Sequence, residues 1–98
     1  MLMKELSVKE LFSVAGQIAF VTGGGRGIGK VFCKTLAEAG AKVAVIDIDL
    51  ETAQQTAQEI KQLGGDAIAV QADVTKAEDV SRAVEATVNH FGRIDICV

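Results

Sequence analysis

Five glycines stand within seven residues in Gly23-Gly24-Gly25-Arg26-Gly27-Ile28-Gly29, directly after the apolar run Ile18-Ala19-Phe20-Val21 and Thr22. The apolar run lacks polar alternation, as suits a strand covered on both faces, and Ile28, Val31, Phe32 and Leu36 then switch to helical spacing. The glycines therefore occupy a strand-to-helix junction. The first amides of a helix have no intrahelical acceptor, and the macrodipole adds about half a positive charge there, so such a junction attracts anions. Glycines let a phosphate approach its backbone.

Spacing selects the kind of phosphate site. The dinucleotide pattern G-x-G-x-x-G fits no register of the cluster, and the nucleotidase pattern G-x-x-x-x-G-K-[ST] fits Gly24 to Lys30 but fails at Val31, which has no hydroxyl for magnesium. The pattern T-G-x-x-x-G-x-G fits completely from Thr22 to Gly29. In this motif the chain resembles the short-chain dehydrogenase/reductase family, and the resemblance runs from Gln17 to Val98. It implies a dinucleotide cofactor, NAD or NADP, with Thr22, Gly23, Gly25, Arg26, Gly27, Ile28 and Gly29 in the cofactor site, and an oxidoreductase acting on an alcohol or carbonyl. The competing expectation is a glycine-rich turn without a ligand.

A second strand, Lys42-Val43-Ala44-Val45-Ile46-Asp47, closes on a carboxylate. Asp47 follows the cluster by close to the spacing of about 20 residues at which dinucleotide folds place an acid on the ribose hydroxyls. A carboxylate there repels a 2′-phosphate, which favours NAD. Arg26 points the other way, since the resemblance implies that a basic residue at that place in the motif often accompanies NADP, so NADP stays open. The bland role of a helix N-terminal aspartate is better filled by Asp49.

Leu50, Ala53, Ala57, Ile60 and Leu63 predict an amphipathic helix with Gln, Glu, Thr and Lys opposite, stopped by Gly64-Gly65. A third strand from Asp66 to Ala72 ends in Asp73-Val74. The resemblance puts Asp73 and Val74 at the adenine, because the family carries an aspartate and a small apolar residue there; turn formation by Asp73 is the equal alternative. Thr75 and Glu78 predict a capping box for a helix with Val80, Val84, Thr87, Val88 and Phe91 on one face and Gly92 as its C-cap. His90 is read as a helix-terminal residue without chemistry. Ile94 to Val98 start a fourth strand.

The alternation β-α-β-α-β-α-β predicts an α/β fold, a Rossmann-type parallel sheet in the order 3-2-1-4, an incomplete doubly wound fold with its ligand crevice between the first and fourth strands. Residues 1–15 read as a leader arm, in which Ser7 and Glu10 could cap a short turn, and residues 16–98 as a partial dinucleotide-binding domain.

A net charge of -3 gives no basic face for nucleic acid, and no apolar run is long enough to span a bilayer. Lys4, Glu5, Lys9 and Glu10 interrupt the start of the chain, so a cytoplasmic location is expected. Cys33 and Cys97 lack metal-ligand spacing and read as core residues, and no metal site is expected. The family's serine, its tyrosine and the lysine four residues after that tyrosine have no counterpart: the chain contains no tyrosine, and its serines are Ser7, Ser13 and Ser81. No catalytic residue is therefore assigned, and the 98 residues are expected to be inactive alone, as the cofactor-binding part of a truncated chain. A non-catalytic dinucleotide-binding module, or an interaction remnant whose fourth strand pairs with another copy in a homo-oligomer, stays open. A small-molecule substrate belongs only to a full-length form.

Overall fold

In the computed structural model residues 14–98 are described, so the expected leader helix turn of Ser7 and Glu10 lies outside the described residues. Four parallel strands, β1 (Ile18–Thr22), β2 (Lys42–Asp47), β3 (Asp66–Gln71) and β4 (Ile96–Cys97), form one sheet in the order β3-β2-β1-β4. The helices α1 (Gly27–Glu38), α2 (Leu50–Gln62) and α3 (Ala77–Phe91) connect them. The α/β Rossmann-like architecture and the expected strand order are both present.

Strand alternation divides the core between the sheet's two faces. Ala19, Val21, Val43, Val45 and Ala67 meet Cys33 of α1 and Ala53, Ala57 and Ile60 of α2 on one face. Phe20, Ala44 and Ile46 meet Ala83 of α3 on the other, with Ile68, Val70 and Ile94 packed against them. The two central strands, covered on both faces, are the uninterrupted apolar runs of the sequence. Lys30 and Lys34, one turn apart on α1, both reach the Glu59 carboxylate of α2, at 2.8 and 3.1 Å, and hold it below the usual carboxylate range.

Several details depart from the sequence expectations. The inward face of α1 is not the set Ile28, Val31, Phe32 and Leu36. Cys33 is buried, with Leu36 and Ala37 packed beside it, whereas Ile28, Val31 and Phe32 are 78%, 63% and 46% exposed. The helix is apolar on two sides, and the side made of Cys33, Leu36 and Ala37 faces the sheet, so of the four expected residues only Leu36 packs inward. On α2, Leu63 falls at the C-cap and is exposed, while Thr56, expected on the polar side, is fully buried. On α3, Ala83 and Thr87 are buried, while Val84 and Val88 are exposed. The capping box of Thr75 and Glu78 does not form: Lys76 is the N-cap, without a side-chain hydrogen bond, and the Thr75 hydroxyl donates to Asp73 instead. Cys97 is exposed rather than core, because β4 pairs only with β1 on the sheet edge.

β4 is shorter than its apolar sequence, yet its flanks continue the ladder. Asp95 N–H donates to the Ile18 carbonyl at 2.8 Å, and Val98 N–H donates to that of Phe20 at 2.9 Å. The Asp95 carboxylate in turn accepts from Ile18 N–H at 2.8 Å and from the Arg93 guanidinium at 2.9 Å, which together hold it below the usual range. Among the described residues no helix is long and apolar enough to cross a membrane.

Candidate functional site

The carboxyl ends of β1 and β2 place the glycine loop and Asp47 side by side. Gly24 N–H donates to the Ile46 carbonyl at 3.0 Å, which lays the loop across the end of β2. Gly25 N–H then donates to Asp47 Oδ2 at 3.0 Å, and Asp49 N–H donates to Oδ1 at 3.0 Å. Asp47 is 6% exposed, and these two N–H groups are the polar partners that allow a carboxylate to be buried. An ionised carboxylate has about four lone-pair sites, so each oxygen keeps acceptor capacity beyond the amide it already serves.

Packing dictates three of the glycines. A Cβ on Gly24 would lie 2.8 Å from Cys33 Sγ and 2.9 Å from a Val45 methyl; one on Gly25 would overlap Thr52 Oγ1 and sit 2.7 Å from Asp47 Oδ2. One on Gly29 would run into the Gly23 carbonyl oxygen, so the first turn of α1 rests directly on the loop that precedes it. Gly23 and Gly27 answer a different demand, with φ of +66° and +60°, a left-handed backbone that side chains disfavour. A Cβ on either would meet nothing within 4 Å, so the surface above them is open.

The loop ends in a helix start that has no side-chain cap among the described residues. Arg26 is the N-cap of α1 and makes no side-chain capping bond, and the first turn holds no acidic residue. The N-terminus of α2, by contrast, is closed by Asp49, whose carboxylate accepts from Glu51 and Thr52 N–H, with Glu51 in the first turn. Asp49 thus has the capping role that the sequence assigned to it. Arg26, Gly27 and Ile28 are exposed around the open end.

The other expected site residues occupy the same end of the sheet. Thr22 turns its hydroxyl to the Val98 carbonyl at 3.0 Å, while its N–H donates to the same oxygen at 3.0 Å, so it ties β1 to β4. Asp73 lies two residues beyond β3, and its Oδ1 accepts from both the N–H and the hydroxyl of Thr75, at 3.0 and 2.6 Å. Those bonds hold its carboxyl below the usual range and make Asp73 a turn former. Its own N–H donates to Asp79 Oδ2 of α3 at 2.9 Å, leaving Val74 exposed beside it. No hydrogen bond joins Asp73 to the Gly25 and Asp47 pair, but Ala72 N–H donates to the Asp47 carbonyl at 3.0 Å, which brings the two turns onto one edge. Among the described residues, no group of His, Cys, Asp and Glu is arranged to hold a metal ion.

Thr56 escapes the sequence reading, and Cys33, read as core and found buried, has a place under the loop that the sequence does not show. Thr56 donates its hydroxyl to the Gly25 carbonyl at 3.2 Å from inside the α2 interface, and Cys33 fills the space under Gly24. Burial pushes the Cys33 thiol up to about 12, so it is an apolar filler at neutral pH. Helical periodicity carries no signal for either contact, because a threonine among Gln and Glu reads as polar surface.

Residues 17–98 match the family model described as short chain dehydrogenase. A hydroxynaphthalene reductase-like protein Arp2 of Metarhizium guizhouense is 46% identical over 88% of this chain and 33% of its own length. The solved hydroxysteroid dehydrogenase of Escherichia coli superposes with a TM-score of 0.85 at 39% identity, over 87% of this chain and 36% of that one. The 3-ketoacyl-(acyl-carrier-protein) reductase of Brucella melitensis, solved in complex with NADH, superposes with a TM-score of 0.81 at 44% identity, over 87% of this chain and 34% of that one. This chain therefore spans about a third of the length of the curated relatives it matches.

Proposed function

Because this chain belongs to the short-chain dehydrogenase family, whose members bind NAD(P), we propose that it is the dinucleotide-binding portion of an oxidoreductase acting on an alcohol or carbonyl. The observation that carries the reading is the open N-terminus of α1 beside the buried Asp47 carboxylate. The α1 amides and the open backbone at Gly23 and Gly27 would hold the pyrophosphate. Asp47 would hold the adenosine ribose through its hydroxyls, using acceptor capacity that the Gly25 and Asp49 amides leave free. Val74 and the turn around Asp73 border the adenine.

NAD is the preferred dinucleotide on this reading. A 2′-phosphate would be set against a buried carboxylate that two backbone amides fix in place, and like-charge contact of that kind is a strong discriminator. Arg26 lies on the exposed side of the loop and makes no bond to Asp47, so it offers a 2′-phosphate only a solvated charge. When bound, the dinucleotide would supply hydride chemistry; these residues would hold its adenosine and pyrophosphate, and the 98 residues contain no tyrosine to move the accompanying proton.

Calorimetric titration of the chain with NADH, NADPH and magnesium-ATP tests the reading. Saturable binding is expected, with NADH at least about tenfold tighter than NADPH. Failure of both nicotinamide dinucleotides to bind overturns it, and binding of ATP alone favours a nucleotidase-like site instead.

A further inference from the structure

We propose that Thr56 is a positioning residue for the choice between NAD and NADP: from the second turn of α2 it fixes Gly25, and through Gly25 the direction of the Asp47 carboxylate. The inference deepens the dinucleotide reading and rests on it.

Thr56 is an odd residue for its place. It is completely buried on a helix face whose other buried members are Ala53, Ala57 and Ile60. A β-branched hydroxyl residue is a below-average helix former, and its hydroxyl, taken out of water, needs a partner. Its hydroxyl donates to the Gly25 carbonyl at 3.2 Å, while the N–H of the same glycine donates to Asp47 Oδ2 at 3.0 Å. Both bonds are buried. Packing against Thr52 and Ala53 places the Gly25 α-carbon, and because glycine has little intrinsic preference for one backbone orientation, these two bonds direct the peptide groups on either side of it. The neighbouring Thr52 hydroxyl is engaged elsewhere, donating to the Asp49 carbonyl at 3.0 Å. The chain Thr56, Gly25, Asp47 thus passes from the α2 interior to the carboxylate without an intervening flexible side chain.

Removing the hydroxyl has a directional consequence. Thr56→Val keeps the shape and strands the buried Gly25 carbonyl; the peptide group between Gly25 and Arg26 turns toward water, the Gly25 α-carbon shifts with it, and the N–H on the preceding peptide group is drawn away from Oδ2. Asp47 then keeps only the Asp49 amide, on Oδ1, and swings from the ribose. Hydrogen bonds to the ribose hydroxyls weaken, and so does the repulsion of a 2′-phosphate. NADH and NADPH affinities must therefore respond differently, whereas a loss of packing alone would weaken both alike.

The experiment is titration of the 98-residue chain and its Thr56→Val and Thr56→Ser variants with NADH and NADPH, with thermal melts in parallel. In Thr56→Val the preference for NADH over NADPH is expected to fall about tenfold, mainly through weaker NADH binding, and Thr56→Ser restores it to within about twofold. An unchanged preference in a folded Thr56→Val chain overturns the inference while leaving the dinucleotide reading intact. Equal loss of both affinities, or a preference that Thr56→Ser fails to restore, overturns it too. A parent chain that binds neither nucleotide overturns the reading itself. Should Thr56→Val not melt cooperatively, Thr56→Cys takes its place, its weak S–H donor giving a fall of about threefold, and an unchanged preference there has the same overturning force.

Discussion

Two helix N-termini converge on Gly25, and the protein treats them oppositely. α2 is closed from within: Asp49 accepts from Glu51 and Thr52 N–H, and Glu51 adds a charge to the first turn. α1 has an arginine at the same position, no side-chain cap and no acid in its first turn. α3 lacks a side-chain cap as well, but it has Glu78 and Asp79 in its first turn, and Asp79 accepts from the backbone of Asp73. A helix end that the chain satisfies by itself is scaffold; the one it leaves positive and open is suited to an anion supplied from outside. On the proposed reading, the difference separates what the fold needs from what a dinucleotide would need, within a few residues of the same sheet edge.

The largest expected effect comes from breaking the seat of α1 on its loop. A Cβ on Gly29 runs into the backbone of Gly23, which cannot move aside as a side-chain tip would. Gly29→Ala is expected to cost about 3 kcal/mol, at the upper end of overpacking penalties, and to abolish nucleotide binding; urea midpoints and NADH titration check both. Gly27→Ala meets no atom and suffers only from its φ of +60°, so a cost of about 1 kcal/mol is expected there. Equal penalties at the two positions would show that α1 does not rest on the loop in the way described.

Exchanging the caps tests the comparison directly. Asp49→Ala removes the closed end of α2 and is expected to cost about 1 kcal/mol of stability. Arg26→Asp does the reverse at α1: its backbone is already extended, as an N-cap requires, so an aspartate there is expected to stabilise the fold by about 0.5 kcal/mol. The same substitution puts a carboxylate where a pyrophosphate would sit, and NADH affinity is expected to drop about tenfold or more. Stability and binding moving in opposite directions is the signature of an end reserved for a ligand. If both rise, or binding does not change, the open end has no such role.

What could be read in the sequence divides along the same line. The parallel order of strands and the place of Asp47 follow from local signals: uninterrupted apolar runs, a glycine cluster at a junction, an acid closing the second strand. Asp49 could be read as a cap because capping depends on neighbours two and three residues away. Thr56 could not, since its partner Gly25 is 31 residues distant and nothing in a helical pattern distinguishes a buried hydroxyl from a solvated one. The face of α1 was ambiguous for a related reason. Periodicity does not say which of two apolar sides faces the sheet: Cys33, Leu36 and Ala37 turn inward, and Ile28, Val31 and Phe32 outward.

Cys33 gives that packing a pH signature. Its thiol is pushed up to about 12 by burial, from an ordinary value of 9.0, so the folded state holds a proton that the unfolded chain releases. Its contribution is complete below pH 9.0 and is lost progressively as pH rises toward about 12. Asp73 and Asp95 act at the opposite end, for their depressed carboxyls favour the fold above the ordinary value of 3.8, and that support goes as pH falls through their lower folded values. Urea midpoints taken across alkaline pH for the parent and Cys33→Ala should differ in slope, with the variant flatter; parallel curves would mean that Cys33 is reached by water. A thiol reagent at neutral pH should label exposed Cys97 well before Cys33.

The smallest effect on stability is expected on the outward side of α1, and it is informative because of its size. Val31 and Phe32 are 63% and 46% exposed, so replacing both with lysine should leave the melt within about 0.5 kcal/mol of the parent. Together with Ile28, however, they make an apolar stripe, and a helix apolar on two sides is the pattern of one that is covered on both. The parent chain is therefore expected to self-associate as its concentration rises, and Val31→Lys with Phe32→Lys to suppress that association in sedimentation velocity runs. A monomeric parent would remove the stripe as the cause of association. A large loss of stability in the double variant would instead place Val31 and Phe32 inside the core, and the assignment of Cys33, Leu36 and Ala37 to the inward face would then be wrong.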